Sequence, residues 1–110
     1  MRSFSYLFLK LSRTVARQGV DDLVMLPQVS EESILDNLRK RYENDLIYTY
    51  IGPVLISVNP YKNLGNVGED YVPRYHAHFP HENSPHPYAL AEEAYRSMKG
   101  EGDNQCVLIR

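Results

Sequence analysis

Tyr48-Thr49-Tyr50-Ile51-Gly52-Pro53-Val54-Leu55-Ile56-Ser57-Val58-Asn59-Pro60-Tyr61-Lys62 is the stretch that decides the fold. From Leu46 to Val58 β-branched and aromatic residues dominate, the types that fit a pleated surface, and Gly52-Pro53 divides them because proline cannot donate into a ladder. Two short strands are expected. In the second, Val54, Ile56 and Val58 face one side while Leu55 and Ser57 face the other. Both faces are largely apolar, which points to a strand covered on two sides, as in a parallel or mixed sheet. That strand empties into Asn59-Pro60-Tyr61-Lys62, a rigid polar turn of the kind with which many nucleotide-binding proteins present a base-reading loop. Pro60 fixes the backbone, Asn59 offers both a donor and an acceptor, and Lys62 brings a positive charge. Taken without its surroundings, Asn59-Pro60 also reads simply as the end of a strand.

Upstream, Val20 to Val29 alternates apolar and acidic residues and reads as an irregular or short extended lead-in. Ser30 is placed to cap a helix over residues 31–44, with Glu31 and Glu32 in the first turn, where free N–H groups favour negative charge. Ser33 stands at the third helical position instead of Glu or Gln, so no reciprocal capping box is expected. Leu35, Leu38 and Tyr42, widened by Ile34, form the apolar stripe. Arg39, Lys40 and Arg41 crowd the last turn, and Asp36 is spaced to pair with Lys40.

Downstream, residues 63–86 are rich in Asn, Gly, His and Pro and read as a long surface segment with one short helix around Tyr71 to Tyr75. Ser84-Pro85-His86-Pro87 opens a further helix, lined by Tyr88, Ala91, Tyr95 and Met98 and closed by Gly100. Glu101 to Asn104 then turns into Gln105-Cys106-Val107-Leu108-Ile109, whose continuous apolar run from Cys106 to Ile109 is expected to be a central parallel strand with Cys106 packed inside it. Such a strand needs neighbours and covering helices, so the chain reads as a piece of a larger α/β domain whose next element lies beyond Arg110.

The 110 residues, 43% hydrophobic and 24% charged, fit one small globular domain. Net charge is −2, but Arg2, Lys10, Arg13 and Arg17 lie in the first 20 residues without an acid, leaving 8 basic and 14 acidic residues after them. An acidic body with no basic face beyond Arg39-Lys40-Arg41 argues against nucleic acid as a partner. One cysteine excludes an internal disulfide and fits a reducing, intracellular compartment. Phe4 to Leu9 falls well short of the roughly 20 apolar residues that span a bilayer. Residues 1–18 read as an atypical basic extension, probed against two other readings, an organelle-targeting peptide and a clipped secretory signal.

Seven blocks resemble the start of a myosin motor domain, nearest to class I: Gly19 to Leu23, Asn37 to Tyr42, Ile47 to Gly52, Ser57 to Lys62, Pro87 to Ala91, Ala94 to Met98 and Asn104 to Ile109. The resemblance implies that residues 19–110 are the N-terminal portion of a P-loop NTPase-type motor domain, helices plus strands of a mixed central sheet, incomplete and stopping before the phosphate loop. It implies that Asn59, Pro60, Tyr61 and Lys62 line the adenine pocket. For the parent motor it further implies ATP and Mg as cofactors, actin filaments and calmodulin-like light chains as partners, and a cytoplasmic, cytoskeleton-associated location. Gly65 and Val67 stand where the family usually has a proline and an aromatic residue, and residues 65–84 match poorly. The family's Gly-Glu-Ser-Gly-Ala-Gly-Lys-Thr phosphate loop is not in the sequence, so no ATP hydrolysis is expected of this chain alone.

The alternative is a free-standing, non-catalytic binding protein using the Asn59 loop and the histidines at 76, 78, 81 and 86. Those histidines, with Asp70 or Glu82, fit no usual zinc spacing and read as a solvated loop. The carboxylate pairs Asp21-Asp22, Glu31-Glu32 and Glu92-Glu93 read as solvated or capping groups.

Overall fold

Gly52 and Pro53 turn the decisive stretch back on itself. Tyr48–Ile51 (β1) and Val54–Ser57 (β2) pair antiparallel, Tyr48 opposite Ser57 and Ile51 opposite Val54. Gly52 takes a positive φ of 55°, the backbone a two-residue hairpin favours and a side chain resists. This comes from a computed structural model that describes residues 17–110; all but the last two residues of the basic extension at 1–18 lie outside them. The expectation of a strand covered on both faces is corrected. Among the described residues β1 and β2 make a two-stranded sheet, and Val54 is exposed. An apolar run announces that a strand is suited to burial, but only elements packed on its faces can bury it.

The chain divides into two compact units, Met1–Leu64 and Gly65–Arg110. In the first, the lead-in forms a 3-10 turn, Leu23–Met25, with Asp22 as its cap, and Asp22 makes a parallel bridge to Tyr50. Helix α1, Glu31–Glu43, starts at Ser30 and ends one residue before the expected position. Its capping box is present after all. Ser30 Oγ accepts from the Ser33 N–H at 3.2 Å and Ser33 Oγ accepts from the Ser30 N–H at 2.9 Å, a hydroxyl replacing the usual carboxylate. The Asp36–Lys40 pair forms at 2.6 Å.

The apolar stripe expected on α1 is also corrected, since Leu35 and Tyr42 are exposed and the buried residues are Asn37 and Arg41. Asn37 donates to the Val20 carbonyl and accepts from the Val20 N–H, at 3.1 and 2.8 Å. Arg41 donates from Nε to Thr49 Oγ1 at 2.9 Å, from NH1 to Asp21 at 2.6 Å and from NH2 to the Tyr48 carbonyl at 2.8 Å. Polar side chains thus join lead-in, helix and hairpin, around a small core of Leu23, Ile47 and Thr49.

In the second unit, a 3-10 turn at Glu69–Tyr71 runs into α2, Val72–Tyr75, where one short helix is expected, and α3 spans Pro87–Glu101. Three expectations are corrected here. Gly100 lies inside α3, and Gly102, at φ 74°, is the left-handed residue that ends it. Of the α3 stripe, Ala91, Tyr95 and Met98 are exposed, and the buried residue is Ala89. Residues 102–110 contain no strand, leaving Val107, Leu108 and Ile109 at 63, 73 and 89% exposure and the Cys106 thiol exposed. A strand is defined by its ladder, and no partner pairs with this run among the described residues. Nor is any helix of the described residues long and apolar enough to cross a membrane.

Candidate functional site

Three restraints hold the Asn59 loop. The Val58 N–H donates to the Ile47 carbonyl at 3.0 Å, carrying the hairpin ladder one step beyond β2. Asn59 Oδ1 accepts from the Tyr61 N–H at 2.8 Å, an Asx turn that leaves its Nδ2 without a hydrogen bond among the described residues. Tyr61 sits at φ 52°, and its side chain is 89% exposed. Tyr42, on the last turn of α1, donates from its hydroxyl to the Pro60 carbonyl at 3.4 Å.

Lys62 closes the loop through its ammonium, 2.6 Å from Asp45 Oδ1, with both side chains more than half exposed. Asp45 lies just past α1 at φ 61°, a conformation that Asp tolerates better than most residues. The structure therefore brings Asn59, Pro60, Tyr61 and Lys62 together on one exposed turn, framed by the C-terminal end of α1. It presents one amide donor, one aromatic ring and one cation.

Two contributors escaped the sequence reading. Asp45 was one, and its signal was the Glu43-Asn44-Asp45 ending of the helix, a place where Asn and Asp adopt left-handed backbone. Arg41 was the other, since it reads as a last-turn cation while its partners lie 7 to 20 residues away.

The histidines do not converge. Among the described residues no group of three or more His, Cys, Asp or Glu is placed to hold a metal ion. His76 pairs with Glu92 at 3.2 Å, and the Ala77 N–H also donates to Glu92, at 2.9 Å. These contacts, the Ala77 N–H first, and Arg96 beside them hold the Glu92 carboxyl below its ordinary value. The expectation of a solvated histidine loop fails at His86, which is 2% exposed. Its ring stacks on Tyr75 at 4.8 Å and meets Tyr88 edge-on at 4.5 Å. Val72, Tyr75, Tyr88, Ala91 and Tyr95, with the His76–Glu92 pair, line an open cleft of about 370 Å³.

The family model for the myosin head (motor domain) matches residues 20–110. The chain belongs to the myosin head family. It is 61% identical over 94 residues to Myosin IB heavy chain of Dictyostelium discoideum, covering 86% of this chain and 8% of that one. It is 53% identical over 96 residues to Myosin heavy chain IB of Acanthamoeba castellanii (86% and 8%), and 50% identical over 91 residues to Unconventional myosin-Ia of Homo sapiens (83% and 9%). The chain thus spans less than a tenth of the length of these curated relatives. The resemblance to class I myosins holds, and the described residues are a mixture of helices and a small antiparallel sheet.

Proposed function

We propose that this chain is the adenine-side segment of an actin-based, ATP-hydrolysing motor. Asn59, Pro60, Tyr61 and Lys62 line the adenine pocket, and residues 105–109 supply a strand of a central P-loop NTPase-type sheet. Support comes from the myosin head match over residues 20–110 together with the restrained turn at Asn59. The donor set suits a purine nucleotide: the Asn59 Nδ2 reaches an acceptor on the base edge, the exposed Tyr61 ring offers a face for stacking, and Lys62 answers phosphate or ribose oxygens. Bound Mg-ATP supplies the γ-phosphoryl group that passes to water in such motors. The residues of this chain bind and orient the adenine end, and the Tyr42, Asp45 and Tyr61 contacts keep the turn in shape before nucleotide arrives. Actin filaments and calmodulin-like light chains are the proposed partners of the whole motor, at a cytoskeletal location in the cytoplasm.

Grafting residues 20–110 in place of the matching stretch of the Dictyostelium Myosin IB heavy chain tests this. The graft is expected to keep its ATPase, and N59A or K62A to raise the KM for ATP about three- to tenfold, the loss of one hydrogen bond or one screened charge contact. An unchanged KM in both variants would remove the loop from the pocket. The 110-residue chain alone is expected to show no ATP turnover above background.

A further inference from the structure

Lys62 carries the cation of the Asn59 loop on a flexible four-carbon stem, and one contact decides where that cation stands. Its Nζ lies 2.6 Å from Asp45 Oδ1. The loop's other restraints grip main chain: Asn59 Oδ1 takes the Tyr61 N–H, and the Tyr42 hydroxyl reaches the Pro60 carbonyl. Among the described residues, Asp45 holds the tip of the lysine.

The carboxylate is presented from fixed backbone. α1 ends at Glu43, and the next three N–H groups fold back on its last turn, Asn44 to the Arg41 carbonyl at 2.9 Å, Asp45 to the Tyr42 carbonyl at 3.0 Å and Leu46 to the Arg41 carbonyl at 2.9 Å. Arg41, whose carbonyl takes two of those bonds, is itself enclosed by Thr49, Asp21 and the Tyr48 carbonyl. Asp45 adopts the left-handed φ of 61° that suits such a tight ending. The two cations of the last helical turn are engaged elsewhere, Lys40 with Asp36 at 2.6 Å and Arg41 with Asp21, which leaves Asp45 to Lys62.

Building on the adenine-side reading of the loop, we propose that Asp45 is a positioning residue for the nucleotide: it holds the Lys62 ammonium in one place before ATP arrives, so that the lysine is already ordered when it meets the ligand. An ammonium has three donors, and one goes to Asp45, so two remain for ribose or phosphate oxygens and the pair stays intact on binding. An exposed pair of this kind contributes little to stability, so its effect lies in the placement of the cation. Immobilising a long side chain during association weakens binding, and a lysine held beforehand avoids most of that loss. The negative charge of Asp45 opposes a polyphosphate only weakly, because both side chains are more than half exposed and salt screens them.

Steady-state ATPase of the Myosin IB graft carrying residues 20–110, at physiological ionic strength, tests this through D45N, K62A and their combination. Asn tolerates the left-handed backbone of position 45, so D45N removes the charge and keeps the end of α1. D45N is expected to raise the KM for ATP about two- to fivefold with kcat unchanged, and D45N added to K62A to change nothing further. Competitive acetylation of the nucleotide-free graft reads the ion pair without turnover, and Lys62 is expected to react about two- to fivefold faster in D45N. An unchanged KM in K62A would overturn the proposal, and together with an unchanged KM in N59A the adenine-side reading as well. A raised KM in K62A beside an unchanged or lowered KM in D45N, a D45N effect that persists in the K62A background, or equal Lys62 reactivity with and without Asp45 would each overturn the positioning role and leave the adenine-side reading standing.

Discussion

At Arg41 a guanidinium with 2% side-chain exposure spends three donors on Thr49, Asp21 and the Tyr48 carbonyl, while Asp21 itself remains 64% exposed. The two ends of this contact are therefore unequal. Arg41→Met strands two acceptors in the protein interior and is expected to destabilise the 17–64 region by about 3 kcal/mol, measured by urea unfolding. Asp21→Asn, at the wet end, is expected to cost about 1 kcal/mol or less. Gly19 belongs to the same network: at φ 77° its missing Cβ would lie 2.5 Å from Asn37 Oδ1, so Gly19→Ala is expected to break the Asn37–Val20 pair of hydrogen bonds. Little of this was legible in the sequence. Lys40 and Arg41 look alike there, both cations in a last turn, and only the folded lead-in and hairpin decide that one meets solvent and Asp36 while the other is enclosed. The Asn59 turn was legible, because an Asn-Pro pair restricts its own backbone and the Asx contact spans only two residues.

Helix boundaries follow local chemistry and were largely readable; helix burial depends on distant partners and was not. Ser30 and the acidic pair after it mark the start of α1 to the residue. Ser30→Ala is expected to lower stability by about 1 kcal/mol, the usual worth of an N-cap. The far end of α3 separates two glycines that look equivalent in sequence. Gly100 is helical and nothing would touch a Cβ there, so Gly100→Ala is expected to stabilise by about 0.5–1 kcal/mol. Gly102 has equal space but a φ of 74°, so Gly102→Ala is expected to destabilise by about 1 kcal/mol. Opposite signs in thermal melts would confirm where α3 ends. Strands were legible only where their partner lies close by: β1 and β2 supply one another across two residues, whereas the apolar residues 106–109 name no partner within the described chain.

For the molecule as a whole, the same logic separates what is stable from what is provided elsewhere. The 65–110 unit is expected to lose stability in two steps as pH falls. His86, whose folded pKa is lowered by burial, acts first, below about 6.5; Glu92, whose folded pKa is lowered, contributes above its ordinary 4.5 and loses that contribution as the pH falls through the lowered value. The exposed Val107, Leu108 and Ile109, by contrast, follow from the proposed place of this run in a sheet whose other strands come from outside residues 17–110. Hydrogen exchange at the amides of residues 105–109 tests that claim most directly, comparing the 110-residue chain with the Myosin IB graft. Near-random-coil rates are expected in the chain alone, and protection of at least about a thousandfold in the graft, as for the core strand of a folded domain. Strong protection in the chain alone, or none in the graft, would contradict it.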